Sequence, residues 1–224
     1  MHARHFQERH PIMTTPDRTA IQTTPTGIPD GQTPTGAPAD DSPPSRPATS
    51  TPALLVIDVQ NDYFSGGVLP LWQADETATR IARAIRHADA HGWAIIAVRH
   101  EGLPDGRIFR PGTSGASLHP HVLDLLTGRP LVIKRQADAF LDTDLNAILE
   151  ATSVTDLYLC GMMTQNCITH TALSPDARRY TVHVLADCCS APSALIHDIA
   201  VRALKGRLDV RETLATGPHA HAID

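Results

Sequence analysis

A three-layer α/β sandwich, built on a mostly parallel sheet of about six strands with helices on both faces, is the fold this 224-residue sequence predicts. Two observations carry that reading. Short, β-branched, almost wholly apolar runs recur from residue 53 onward, as expected of strands covered on both faces. The segments between them repeat apolar residues at helical spacing. Strands alternating with helices build right-handed βαβ units and hence a parallel sheet. No internal repeat is visible.

The elements follow in order. Nine of the 18 prolines fall within residues 1–50, among Thr, Ser, Gly and Asp. Residues 1–51 therefore have too little apolar surface to offset their ordering entropy, and they read as a disordered, partly polyproline-like extension. Glu8, Asp17, Asp30, Asp40 and Asp41 argue against an organellar transit peptide, and no apolar core of a secretory signal is visible. Met13 is an alternative start. The domain is expected over 52–217, with a tail at 218–224. ALLVIDV (53–59) is the first strand. Residues 75–90 form a helix with Ile81, Ala84, Ile85 and Ala88 inward, stopping at His91-Gly92. The strand WAIIAV (93–98), a helix at 121–127 behind His119-Pro120-His121, and the strand PLVI (130–133) come next. DLYLCG (156–161) leads into a helix capped by Thr164, and YTVHVLAD (180–187) into one capped by Ser193. The last helix is expected to turn Ile196, Ile199, Ala200, Ala203 and Leu204 inward.

Composition narrows the function. Nineteen Lys and Arg against 24 Asp and Glu give a net charge of −5 and a pI near 6.2, without the basic excess of a nucleic-acid binder. The longest apolar runs are strand-sized, so no membrane span is expected. Four cysteines are too few for a disulfide scaffold and fit a reducing compartment, the cytoplasm. No G-x-G-x-x-G follows a strand, which disfavours a dinucleotide site.

Ligands of such sheets bind outside the carboxyl ends of the strands, and three reactive side chains fall there. Asp58 closes the first strand, Lys134 ends the third, and Cys167 lies just past the fourth. With Thr164 as cap, Cys167 takes about the third position of a helix, where free N–H groups and the dipole favour a thiolate and an adjacent oxyanion. Lys134 is expected to lower the thiol pKa further and Asp58 to accept its proton. Taken singly, each residue is more often structural. A buried Cys is usually a small hydrophobe, the reading given to Cys160 in mid-strand. The weight lies in three complementary groups on three strand ends.

The stretches LLVIDVQNDYF, VIKRQADAF and GMMTQNCITHTA, with VLADCCSA as a weaker fourth, resemble the isochorismatase-like cysteine hydrolases, a group that includes nicotinamidases and N-carbamoylsarcosine amidase. The resemblance covers about residues 53–210. It implies an isochorismatase-like, Rossmann-like fold and a catalytic triad of Asp58, Lys134 and Cys167. It also implies a cis peptide between Met162 and Met163, and an oxyanion hole made by the amides of Met163 and Cys167. The implied reaction is hydrolysis of a small-molecule amide through a thioester, with ammonia released, no required cofactor, and a homo-oligomeric enzyme. The Asp-x-His metal segment of nicotinamidases does not occur in VRHEGLPDGRIFRPGTSGASLHPH. His100, His119 and His121 remain the metal-ligating types there, with His100 19 residues from the other two, and no metal site is expected.

Further pocket candidates are Gln60, Phe64, Arg99, His100, Asp138 and Phe140. Gln60 reads equally as a binder of loop backbone, and the two phenylalanines as core. Asp138 stands where the family has Ser, and would favour a cationic substrate if it faces the cavity. His170, three residues past Cys167, is poorly aimed for a Cys–His dyad. Cys188-Cys189, after the fifth strand, read as two reduced thiols. The rival functions are isochorismatase-type vinyl-ether hydrolysis with Asp58 as acid, and a non-enzymatic redox-responsive or partner-binding protein using Cys167 with Cys188 or Cys189.

Overall fold

The computed structural model describes residues 50–212. The expected extension up to residue 49 and the expected tail lie outside these. Ser50 and Thr51, which the sequence reading put in the extension, are already tied to the domain. Ser50 Oγ donates to Asp156, and the Thr51 carbonyl accepts from Thr155.

Six strands form one parallel sheet: β1 (Pro52–Ile57), β2 (Ala94–His100), β3 (Leu131–Lys134), β4 (Asp156–Met162), β5 (Thr181–Ser190) and β6 (Asp209–Arg211). Their spatial order is β3-β2-β1-β4-β5-β6. The chain winds outward from β1 to β3, then returns to lay β4 on the other side of β1. The crevice at the carboxyl ends of β1 and β4 is therefore the topological switch point, where such sheets place their ligands.

Helices α1 (Ala74–Ala90) and α2 (Pro120–Leu126) bury Ile81, Ile85, Val122 and Leu126 with one face of the sheet. Helices α3 (Leu145–Ala151), α4 (Thr169–Ala172) and α5 (Ala194–Lys205) bury Leu145, Leu149, Ala172 and Leu204 with the other. Leu54 and Val56 belong to the first core and Ala53, Leu55 and Ile57 to the second, the period of two that a strand imposes. Both faces of β1 are covered, and its five residues from Ala53 to Ile57 are fully buried.

Four expectations are corrected. Strand β3 is not covered on both faces: Leu131 and Ile133 are 44% and 40% exposed, because β3 is the sheet edge and only Val132 and Lys134 turn inward. In α5, Ala200, Val201 and Leu204 are buried, whereas Ile196, Ile199 and Ala203 lie outward; the helix seats on small residues. Strand β5 runs on to Ser190 past a register shift opposite Leu159 and Gly161. Cys188 and Cys189 thus lie within it and enter opposite cores. Finally, Thr164 does not cap a helix. Its hydroxyl donates to Ser190 O at 2.9 Å and faces His197 Nδ1 at 2.9 Å. Met163 stands at the cap position of a π-helical turn, Thr164–Ile168.

Gly161 fixes the junction of β1 and β4. Its φ is +127°, and a Cβ there would meet Ile57 O at 1.9 Å. No residue with a Cβ fits here, one step before the Met162–Met163 peptide, which is cis. Gly161→Ala combines a forbidden dihedral with a backbone clash. It is expected to lower unfolding stability by about 3 kcal/mol or more, read as a fall in the urea midpoint at unchanged slope. A loss under about 1 kcal/mol would show that the junction is soft.

Candidate active site

Asp58 follows β1 with φ +53°, a left-handed conformation that Asp tolerates better than most residues. Its N–H donates to Val98 O and its carbonyl accepts from Gln60, both at 2.9 Å. The backbone twist turns the carboxylate away from its solvent-free strand and across the end of the sheet. Lys134 ends β3 in register with His100 of β2, and its long side chain spans β2 to reach Asp58. The Lys134 Nζ to Asp58 Oδ2 distance is 2.7 Å, with both side chains wholly out of solvent.

The same ammonium donates to Cys167 Sγ at 3.2 Å and to Gln136 O at 3.1 Å, and lies 3.1 Å from His100 Nδ1. An ammonium can only donate, so His100 Nδ1 accepts and the hydrogen of its neutral ring sits on Nε2. Burial, then Lys134, hold the His100 pKa below its ordinary value, with Asp58 opposing. Four acceptors crowd three protons, so Lys134 needs no water. Burial alone would lower the Lys134 pKa, but Asp58 and Cys167 outweigh it and hold the ammonium above its usual value.

Cys167 is 2% exposed and sits in the π turn, one residue later than the expected helical position. The expected thiolate is corrected here. Burial, then the Asp58 carboxylate, push the thiol up to about 12 against the pull of Lys134. Desolvation and a facing anion outweigh the turn's partial charges and the ammonium. The site at rest therefore holds a carboxylate, an ammonium and a neutral thiol.

The other candidates separate. Gln60 is a staple: its Nε2 donates to His100 O at 2.8 Å and Ala116 O at 2.9 Å, and its Oε1 accepts from His100 N at 2.8 Å. Phe64 is buried with its ring flat on His119, 3.5 Å between centroids. Phe140 is core, stacked on Tyr180. Asp138 Oδ1 accepts from Phe140 N–H at 2.9 Å, closing its own turn. His170 is exposed and bonds Asn166 O. Arg99 and His100 do line a cavity of about 260 Å³, with Glu101, residues 111–114, Ala116 and Ser117. His100 is thus shared between the cavity and the triad.

Sequence reasoning missed Tyr63. It is buried, edge-on to Phe109 at 4.7 Å. Burial first, and then Cys167, Asp58 and Asp62, push its hydroxyl pKa up. It also missed Asp62, whose Oδ2 accepts from Phe109 N–H at 2.6 Å, and the 111–117 loop that walls the cavity. Only the run N-D-Y-F after Asp58 hinted at the first two.

A metal does not fit between the triad residues. Ligating atoms of Asp58, His100 and Cys167 lie within 4.8 Å of one another, but the Lys134 ammonium is already in contact with all three. A dication there would face a fixed positive charge.

A sequence model of the Isochorismatase domain matches residues 52–215. The chain belongs to the isochorismatase family. Among its relatives, the uncharacterized isochorismatase family protein YddQ of Bacillus subtilis is 35% identical over 156 residues, covering 68% of this chain and 85% of that protein. Streptothricin hydrolase of Streptomyces noursei is 32% identical over 184 residues, 76% of this chain and 69% of that protein. Among solved structures, an isochorismatase from Pseudomonas putida KT2440 superposes with a TM-score of 0.66 at 28% identity, over 74% of this chain and 91% of that one. Pyrazinamidase of Pyrococcus horikoshii, in complex with zinc, gives a TM-score of 0.66 at 26% identity, over 71% and 98%. This isochorismatase-family protein is accordingly a hydrolase with the fold of its relatives, and no helix among its described residues is long and apolar enough to cross a membrane.

The proton inventory is testable. With the thiol at about 12 and its ordinary value at 9.0, thiolate absorbance of the folded enzyme is expected to rise only well above pH 9. The unfolded chain ionises first, so this thiol makes stability fall as pH rises from 9.0 toward 12. A folded-state midpoint at or below neutrality, removed by Cys167→Ser, would reverse the assignment.

Proposed function

We propose that this hydrolase cleaves the C–N bond of a small non-peptide amide, with Cys167 as nucleophile, Asp58 as proton carrier and Lys134 as the charge that holds both. The observation that carries the reading is the Lys134 ammonium lying 2.7 Å from Asp58 and 3.2 Å from Cys167. The likeness to a pyrazinamidase supports amide chemistry.

The thiol value sets the order of events. With the thiol held well above its ordinary value, few molecules hold a thiolate at neutral pH. Attack therefore runs with the proton passing from Sγ to Asp58 as the C–S bond forms. No N–H or O–H donor among the described residues bonds to Asp58 Oδ1, which suits that role. The carbonyl oxygen becomes an oxyanion beside the amides of Met163 and Cys167. The intermediate collapses with cleavage of the C–N bond, Asp58 returning the proton to the leaving nitrogen as ammonia departs. Water then attacks the thioester, giving one proton to Asp58 and releasing acid and thiol. Lys134 stabilises sulfur as charge develops on it and holds Asp58 beside it.

Substrate approaches from the cavity that shares His100 with the triad, where Arg99 and the Nε2–H of His100 meet polar groups. The redox reading loses support, because the four cysteines are free and buried and Cys188 and Cys189 enter opposite cores.

An ammonia-release screen over nicotinamide, ureido acids, maleamate and related amides tests the proposal. A substrate found this way is expected to lose at least about 10³-fold in kcat/KM in both Cys167→Ala and Asp58→Asn, with folding retained. Undiminished turnover in Cys167→Ala would remove the nucleophile. Hydrolysis of vinyl ethers with no ammonia from any amide would favour the isochorismatase-type reaction.

A further inference from the structure

Outside the triad, a second set of ligating side chains converges on the α1/α2 side of the sheet. Asp75 stands in the first turn of α1. His119 is the residue before α2, and His121 follows one residue inside it. Their ligating atoms all lie within 4.8 Å of one another. The two histidine Nδ1 atoms are 3.1 Å apart, close to the roughly 3.3 Å that two imidazoles reach on one tetrahedral zinc with bonds of about 2.0–2.1 Å.

The site is held in place from behind. The His119 ring lies flat on Phe64 at 3.5 Å and 9°, and its backbone N–H donates to Val59 O at 2.8 Å. Pro120 fixes the turn that brings His121 alongside, the two rings again 9° apart. A cation would replace two bonds of His119 Nδ1, the long capping bond from His121 N–H at 3.4 Å and the contact with His121 Nδ1 at 3.1 Å. Asp75 is exposed and, among the described residues, its carboxylate pairs with no Lys or Arg. Here the contrast with Asp58, His100 and Cys167 is direct: that cluster has an ammonium in contact with all three members, and this one does not.

We propose that Asp75, His119 and His121 bind a borderline-soft divalent cation, zinc foremost, with three protein ligands and the remaining positions open to water or an exogenous ligand. Two imidazoles and one carboxylate suit zinc, cobalt or nickel and discriminate against magnesium and calcium, which favour all-oxygen shells. A bound cation would clip the start of α1 to the start of α2 and to the exit of β1, one residue from Asp58. The inference is independent of the amide chemistry proposed for the triad.

The test titrates the full-length protein with Co²⁺ alone by visible absorption and with Zn²⁺ alone by calorimetry, alongside His121→Ala, Asp75→Asn and Cys167→Ser. His2, His5, His10, His219 and His221 are of a metal-ligating type and compete for added cation, so the reading is the difference between proteins. His121 and Asp75 are exposed, and circular dichroism checks that their variants fold. The expected result is one site per chain that weakens at least about tenfold in His121→Ala and in Asp75→Asn. It stays intact in Cys167→Ser, shows no thiolate-to-cobalt band, and does not respond to Mg²⁺. Equal stoichiometry and affinity in wild type, His121→Ala and Asp75→Asn would overturn the proposal. So would a cobalt spectrum with a thiolate band that disappears in Cys167→Ser.

Discussion

A carboxylate and an ammonium, neither with any access to solvent, stand 2.7 Å apart at the end of the sheet, and the rest of the site is arranged around keeping them there. Burying either charge alone costs several kcal/mol even after relaxation, so the two are stable only together, and more so as their remaining valences are met. His100 Nδ1, Gln136 O and Cys167 Sγ meet those of Lys134. Topology makes the pairing possible. Asp58 and Cys167 leave the two strands flanking the switch point, and Lys134 is long enough to cross β2 from the edge. Gln60 fastens the backbone of His100, the strand end that Lys134 crosses, to the cavity loop.

That pair also governs the sulfur. A cation beside a thiol ordinarily favours the thiolate, but here its charge is already matched by Asp58. Cys167 meets a neutralised ammonium, a facing carboxylate and little solvent, and stays protonated. The site thus holds carboxylate and thiol as separate neighbours, which under the proposed reaction are its base and its nucleophile, instead of a preformed thiolate.

The sequence disclosed what depends on local periodicity and on strand ends. The runs from Ala53, Trp93 and Asp156 became β1, β2 and β4 within a residue or two, because a strand buried on both faces leaves a continuous apolar signature. The Asp58, Lys134 and Cys167 side chains meet because all three follow carboxyl ends of parallel strands. The losses were tertiary. Nothing local reveals that β3 is an edge with Leu131 outward, or that α5 seats on Ala200 and Val201 while Ile196 and Ile199 face out. Thr164 looked like a cap because its partners, Ser190 and His197, come from distant segments. Tyr63 and Asp62 were only hinted at by the run after Asp58, and the 111–117 loop was invisible, because loops carry no periodicity. The sign of the thiol shift was misread because a helix tip and a lysine are legible in one dimension, whereas burial and the facing carboxylate are not.

The buried pair is tested most directly by a double-mutant cycle on stability with Asp58→Asn, Lys134→Met and both together. Each single change strands an unmatched buried group and is expected to cost about 3–5 kcal/mol. The double variant should be no less stable than either single one, giving a coupling of at least about 2 kcal/mol. Additive losses, or singles within about 0.5 kcal/mol of the parent, would mean that the two charges do not depend on each other and that the site is not organised around them.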